Sequence, residues 1–301
     1  MSISICIPTY NRLEYLKKCL SSILDGIGNY PYELIIADGG STDGTIEYLE
    51  NLGNDNLTLI KQGKLVGASR AWNACFKKAK NEYVFWPCDD YIINPNVILN
   101  CCKIMDKYPE IGLASPKFIE ATLSNFPNIG SWQYLIVLSK THVFRNSVLK
   151  EIGFFDDNFK TYYIDVDSHI AVLNLGYTTL FTREVGIIHN RFFDEIRKKN
   201  IQNKTVAKSE LDYYKQKWKK LDDRLIASYP KRFKAKVAWS IHDRLRQFGL
   251  MQKFMKNNHP FAIKMLDWFL QKSVIFEAKE FRHLKDFYLA QRIPPENKKS
   301  T

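Results

Sequence analysis

Two adjacent carboxylates, Asp89 and Asp90, follow directly on the apolar run Tyr83-Val84-Phe85-Trp86 and on Pro87. Four apolar residues in a row read as a short strand buried on both faces, the kind found inside a parallel sheet. Ligands gather at the carboxyl ends of strands in open α/β sheets, so this pair stands where chemistry is usually done. Neighbouring carboxylates are costly to hold together unless positive charge sits beside them. Their hard oxygen atoms suit a divalent cation that also binds phosphates. A solvated loop after a strand is the plain alternative.

The elements that must position this pair alternate strand and helix. Ser2 to Ile7 is a β-rich run closed by the loop Pro8-Thr9-Tyr10-Asn11-Arg12, and apolar residues at Leu13, Leu16, Leu20, Ile23 and Leu24 follow at helical spacing. Glu33 to Ala37 reads as a second buried strand, ended by Asp38-Gly39-Gly40-Ser41-Thr42-Asp43-Gly44-Thr45, a turn rich in residues that let a backbone approach a ligand. A helix over 46–52, a strand over 57–60 and a helix over 67–80 lead into the strand before Asp89. Such spacing predicts βαβ units, a parallel sheet and an α/β class. Beyond it the pattern predicts a helix over 96–108, a strand over 111–116, an irregular loop over 118–131, an apolar β-rich stretch over 132–138, a helix over 147–152 and a strand ending at His189.

Four stretches, taken in order, resemble the family 2 glycosyltransferases of GT-A fold. They are Ile5 to Arg12, Leu34 to Thr45, Gly67 to Asn73, and the strand end at Asp89-Asp90. The resemblance implies a Rossmann-like, mostly parallel central sheet flanked by helices. It implies an inverting sugar transfer from a nucleotide-diphospho-sugar, commonly a UDP-sugar, assisted by Mn²⁺ or Mg²⁺. Carried over residue by residue, Asp38 bonds the nucleobase and Pro8, Thr9 and Tyr10 line its pocket. Arg12, Gly67 and Arg70 belong to the donor site, Asp89 meets the donor ribose, and Asp90 holds the metal. The segment Tyr162 to His169 is similar to the family's acidic acceptor-side motif, which gives Asp165 the place of the general base, and His189 falls where many relatives carry a metal-reaching His. Asp165 and Asp167 equally suit a helix N-terminus, where acidic residues favour the macrodipole. Cys88, Gly39 and Trp72 depart from the family pattern, standing where an Asp, a second Asp and an Arg are common.

A chain of 301 residues with 45% apolar content can bury one large core or two modest ones. Its net charge of +12 is uneven: residues 1–190 hold 17 Lys and Arg against 20 Asp and Glu, and residues 191–301 hold 27 against 12. This asymmetry points to a near-neutral N-terminal body and a basic C-terminal region that meets something anionic. The resemblance, which stops near residue 195, implies a catalytic domain over 1–195, with a donor half over 1–110 and an acceptor half over 111–195, followed by a basic, mainly helical extension over 196–301. Phe233, Val237, Ile241, Leu245 and Phe248 recur at helical spacing, and Lys215 to Lys220 surround Trp218. Either a helical subdomain packed on the body or a face lying on an anionic membrane fits that pattern. No nucleic-acid-binding motif accompanies the charge. The six cysteines form no CxxC pair, which points to reduced, buried thiols. With neither a signal-peptide pattern nor a membrane-spanning apolar run, the expected location is cytoplasmic, extending to the periphery of the inner membrane face. The expected partners are the nucleotide-sugar donor and a glycan or lipid-linked acceptor. A non-catalytic nucleotide-sugar-binding module and a nucleotidyltransferase are the other classes the residues allow.

Overall fold

A computed structural model describes residues 1–120, 141–189, 204–228 and 287–291. The elements are β1 (Ile3–Thr9), α1 (Leu13–Ile27), β2 (Tyr32–Asp38), α2 (Thr45–Glu50), β3 (Leu57–Lys61), α3 (Ala68–Phe76), β4 (Tyr83–Phe85), β5 (Tyr91–Ile93), α4 (Pro95–Lys107), β6 (Ile111–Glu120), β7 (Val143–Arg145), α5 (Asn146–Glu151), α6 (Ile164–Asn174), β8 (Thr178–His189), α7 (Lys204–Ser228) and β9 (Phe287–Gln291).

One sheet joins the described strands in the order β3-β2-β1-β4-β7-β6-β8-β5, with β9 also paired to β8. Strands β3, β2, β1 and β4 are parallel neighbours. Strand β7 runs antiparallel to both β4 and β6, and β6 is parallel to β8. Both faces of β1 are covered, which explains why its residues are mostly apolar and Ser4 and Thr9 are buried with them. Ile3, Ile5 and Ile7 face one layer with Leu16, Leu20 and Ile23 of α1. Cys6 faces the opposite layer with Trp72 and Phe76 of α3 and Ile170 of α6. Helices therefore cover both faces, and the sheet's carboxyl edge is left for the loops.

Several expectations change. Helix α3 is shorter than the predicted 67–80, because the chain turns off at Lys77. Tyr91–Ile93, for which the sequence pattern predicts no element, is a strand that pairs with β8. Strand β6 runs on to Glu120, through the start of the predicted loop. The predicted β-rich stretch 132–138 and the basic, aromatic tail around Phe233 to Phe276 lie outside the described residues. Two elements from beyond residue 195 do join the body: β9 adds to the sheet, and α7 packs beside α6. The Lys217 ammonium, one of the tail's basic groups, is 2.8 Å from both Asp156 and Asp167. Among the described residues no helix is long and apolar enough to cross a membrane.

Candidate active site

The carboxyl ends of β1 and β4 open onto a cavity of about 550 Å³. Its walls carry Pro8 and Thr9, which are the last two residues of β1 and not part of the expected loop, then Tyr10 and Arg12, the corner Gly39, Gln62 and Leu65, Gly67 and Ala68 at the head of α3, and Cys88-Asp89-Asp90. Lys160, Thr161, Tyr162 and Val206 close the far side.

The two carboxylates are almost fully buried, at 4% and 2% exposure. Burial on that scale requires partners. Thr9 Oγ1 donates to Asp89 Oδ2 at 2.9 Å. The Arg12 guanidinium donates one nitrogen to Asp89 Oδ1 at 2.7 Å and the other to Asp90 Oδ2 at 3.0 Å. His189 Nε2 lies 3.2 Å from the same Asp90 oxygen. Its position follows from the β5–β8 ladder, in which Tyr91 stands directly opposite His189. Residues nearly a hundred apart in sequence are thereby neighbours. Burial first, and the neighbouring Asp90 second, push the Cys88 thiol up to about 12, so it stays neutral beside the carboxylates.

Among the described residues, no group of three or more His, Cys, Asp or Glu side chains is placed to hold a metal ion. The donor set still suits the cation the resemblance implies. Mg²⁺-like ions take one or two protein ligands and complete their shell with water and substrate phosphates, and Asp90 and His189 offer a carboxylate and an imidazole side by side.

The structure brings Pro8, Thr9, Tyr10, Arg12, Gly67, Asp89 and Asp90 together around the cavity. It places four other candidates away from its walls. Asp38 is wholly buried and faces its own loop. Oδ1 accepts the Gly40 and Ser41 N–H groups, each at 2.8 Å, and Oδ2 accepts the Ser41 hydroxyl at 2.5 Å. The turn is tight enough that a Cβ at Gly40, whose φ is +90°, would come within 2.8 Å of the Gly63 backbone. In this geometry Asp38 braces the loop after β2, and Tyr10, Gly39, Gln62 and Leu65 line the adjoining corner of the cavity. Arg70 is exposed, with Nε 3.7 Å from Asp157. Successive helical residues point about 100° apart, so Ala68 and Ala71 take the cavity side of α3 and Arg70 does not. His189 sits behind Asp90. Asp165 is half-buried in the first turn of α6, three residues past the cavity wall at Tyr162.

Asp167 is a different case from its neighbour. Burial pushes its carboxyl up, and Lys217 and the Trp218 indole, which donates at 2.8 Å, pull the other way. Of the family departures, Trp72 is explained by packing: it meets Trp86 edge-on at 5.0 Å inside a cluster with Phe155. Gly39 leaves room for Leu65, whose Cδ2 would lie 3.0 Å from a Cβ there. The sequence reading missed Gln62, Leu65, Lys160 and Thr161, and on α7 it missed Val206 and Glu210. Proximity to Asp165 in sequence marks the wall, but no local signal marks Val206.

This architecture is the GT-A glycosyltransferase fold. Two solved structures share it. One is TarS of Staphylococcus aureus in complex with UDP-GlcNAc, with TM-score 0.56, 21% identity and coverage of 65% of this chain and 60% of that one. The other is the mannosyltransferase PcManGT of Pyrobaculum calidifontis with GDP-Man and Mn²⁺, with TM-score 0.54, 18% identity and coverage of 88% and 86%. Residues 4–167 match the sequence profile "Glycosyl transferase family 2", more than half of the chain, and the protein belongs to that family. Among curated relatives, abequosyltransferase RfbV of Salmonella typhimurium is 32% identical over 157 residues, half of this chain and 46% of the relative. The glucosyltransferase WfaP of Escherichia coli, named for UDP-Glc and α-D-GlcNAc-diphosphoundecaprenol, is 23% identical over 66% of this chain and 84% of its own length. The match to chondroitin synthase of Pasteurella multocida spans 10% of that enzyme.

Proposed function

We propose that this protein moves a sugar from a nucleotide-diphospho-sugar, most simply a UDP-sugar, to a hydroxyl of a glycan or lipid-linked acceptor, with inversion at the anomeric carbon. The observation that carries the reading is the buried pair Asp89-Asp90 at the end of β4, opening on a cavity walled by the β1 turn, with His189 against Asp90. Family membership, UDP-GlcNAc on TarS and the lipid-diphosphate acceptor in the name of WfaP support it.

The residues divide the work by position. Tyr10 and Leu65 flank the slot for the nucleobase, and the Gln62 amide lies at its edge. Asp89 reaches the ribose. Asp90 and His189 would hold Mn²⁺ or Mg²⁺, which supplies Lewis acidity to the departing diphosphate. Asp165 takes the proton of the acceptor hydroxyl as its oxygen bonds to the anomeric carbon, while the bond from that carbon to the phosphate oxygen breaks on the opposite face. Catalytic activity is the property a binding module lacks, and release of UDP rather than sugar 1-phosphate distinguishes transfer from nucleotidyl chemistry. A thermal-shift screen of nucleotide-sugars with and without Mn²⁺ tests the donor, because a cognate ligand stabilises the fold by mass action. A midpoint unmoved by every UDP-, GDP- and dTDP-sugar, together with no nucleoside diphosphate release, refutes the reading.

A further inference from the structure

The family match ends at residue 167, yet the cavity wall Lys160–Tyr162 is gripped from beyond it, by α7. Glu210 of α7 is 4% exposed. One of its carboxylate oxygens accepts the Lys160 N–H at 2.9 Å, and the other accepts Tyr162 N–H at 2.7 Å and Thr161 N–H at 3.4 Å. On the other side of the same loop, the Lys160 carbonyl accepts the Ala68 N–H at 2.9 Å, and the Phe159 carbonyl accepts the Ser69 hydroxyl. The loop is thus held between α3 and α7.

The grip extends along the whole segment that leads to Asp165. Tyr213 donates to Asp156 at 2.8 Å, and Lys217 spans Asp156 and Asp167. Tyr214 is fully buried and stacks on Tyr163, whose backbone is left-handed at φ +61° just before α6 begins. Val206, four residues before Glu210, lines the cavity itself. A left-handed non-glycine residue persists only where its surroundings impose it. Here the surroundings include Tyr214, stacked on the Tyr163 ring, and Glu210, which holds the N–H of Tyr162.

We infer that α7 completes the active site, with Glu210 as the positioning residue that fixes the wall Lys160–Tyr162 and, through it, Asp165 at the head of α6. The inference rests on the transfer reaction proposed above. Glu210 touches no reacting atom, and its carboxylate is specific to the task. Three N–H groups converge on two acceptor oxygens, whereas a glutamine would set its own N–H₂ against one of those donors.

Glu210→Gln tests this in the full chain. Amide exchange at Lys160, Thr161 and Tyr162 should become on the order of tenfold faster, the weight of hydrogen bonds to a charged acceptor. Transfer should fall by about 10²-fold, the cost of roughly an ångström of misplacement. UDP affinity should stay within a few-fold, and the share of donor lost to water relative to acceptor should rise. Unchanged exchange at the three amides overturns the inference, as does wild-type kcat with wild-type KM. Should Glu210→Gln not give folded protein, Trp218→Phe loosens the Asp167 end of the same grip, and full kcat in that variant overturns the inference. The two readings separate cleanly: absence of turnover in the unmutated protein counts against the proposed function, while the exchange measurement still judges the clamp.

Discussion

Replacing Arg12 by methionine removes the guanidinium that Asp89 and Asp90 share and leaves the stem's apolar volume in place. Its two nitrogens sit 2.7 and 3.0 Å from the carboxylates, and its side chain is 16% exposed against 5% and 0% for theirs. With the charge centres about 4 Å apart, each pair interacts at about 4 kcal/mol for an effective dielectric near 20. Breaking such a pair typically costs about 3–5 kcal/mol, because the surviving charges stay buried. At roughly 2–4 °C per kcal/mol the thermal midpoint should fall by about 6–20 °C. A divalent cation should restore part of the loss: at a hundred times its Kd, bound metal contributes about 2.7 kcal/mol. Mn²⁺ should therefore raise the midpoint of Arg12→Met more than that of the unmutated protein, where the ion must compete with the guanidinium. Scanning fluorimetry across a Mn²⁺ series reads both effects. An unshifted midpoint, or equal Mn²⁺ responses in the two proteins, would refute the reasoning.

Three other outcomes are expected. Asp90→Asn should keep the fold and lose Mn²⁺-dependent donor binding, and undiminished Mn²⁺-dependent turnover would remove Asp90 from the metal site. Asp165→Asn should lower transfer by roughly 10²–10⁴-fold, the usual worth of a general base, with UDP affinity nearly normal; collapse of donor affinity instead would make the residue structural. Burial lowers the His142 pKa from 6.5 to about 3, so below pH 6.5 the unfolded chain binds a proton that the folded chain excludes, and stability falls as pH falls. The slope approaches roughly 1.4 kcal/mol per pH unit. Denaturant titrations between pH 6.5 and 5 should show that loss in the parent and a flatter profile in His142→Asn; identical slopes would refute it.

Much of the donor half is legible in sequence because its signals are local. The unbroken apolar runs of β1 and β2 follow from helices covering both faces of a parallel sheet. The ends of these strands announce themselves through Pro8, one residue before β1 stops, and the Gly39-Gly40 pair after β2. Asp89-Asp90 is found the same way, by its place after β4. What stays hidden depends on contacts across long separations. Nothing around Asp38 says that the N–H groups of Gly40 and Ser41 converge on its carboxylate. The lysine-rich run about Lys217 reads as a solvated or membrane-facing surface until Asp156 and Asp167 are seen beside it. Strand β5 is three residues long, too short for a periodic signal, and exists because β8 offers it a ladder.

That ladder makes the placement of His189 a matter of parity. Side chains along a strand alternate between faces, so sliding β8 by one residue against β5 would carry the imidazole to the opposite side of the sheet, and sliding it by two would return it to the proper side about 7 Å away. Neither leaves it on Asp90. The pairing of β8 with β6 already contains offsets, between Ser115 and Lys117 and between Lys117 and Phe118, opposite the stretch from Phe181 to Ile187. Phase errors introduced upstream can be absorbed there before the strand reaches its last three rungs. Insertions or deletions among relatives should accordingly gather before Ile187, and the frame from Ile187 to His189 should be kept.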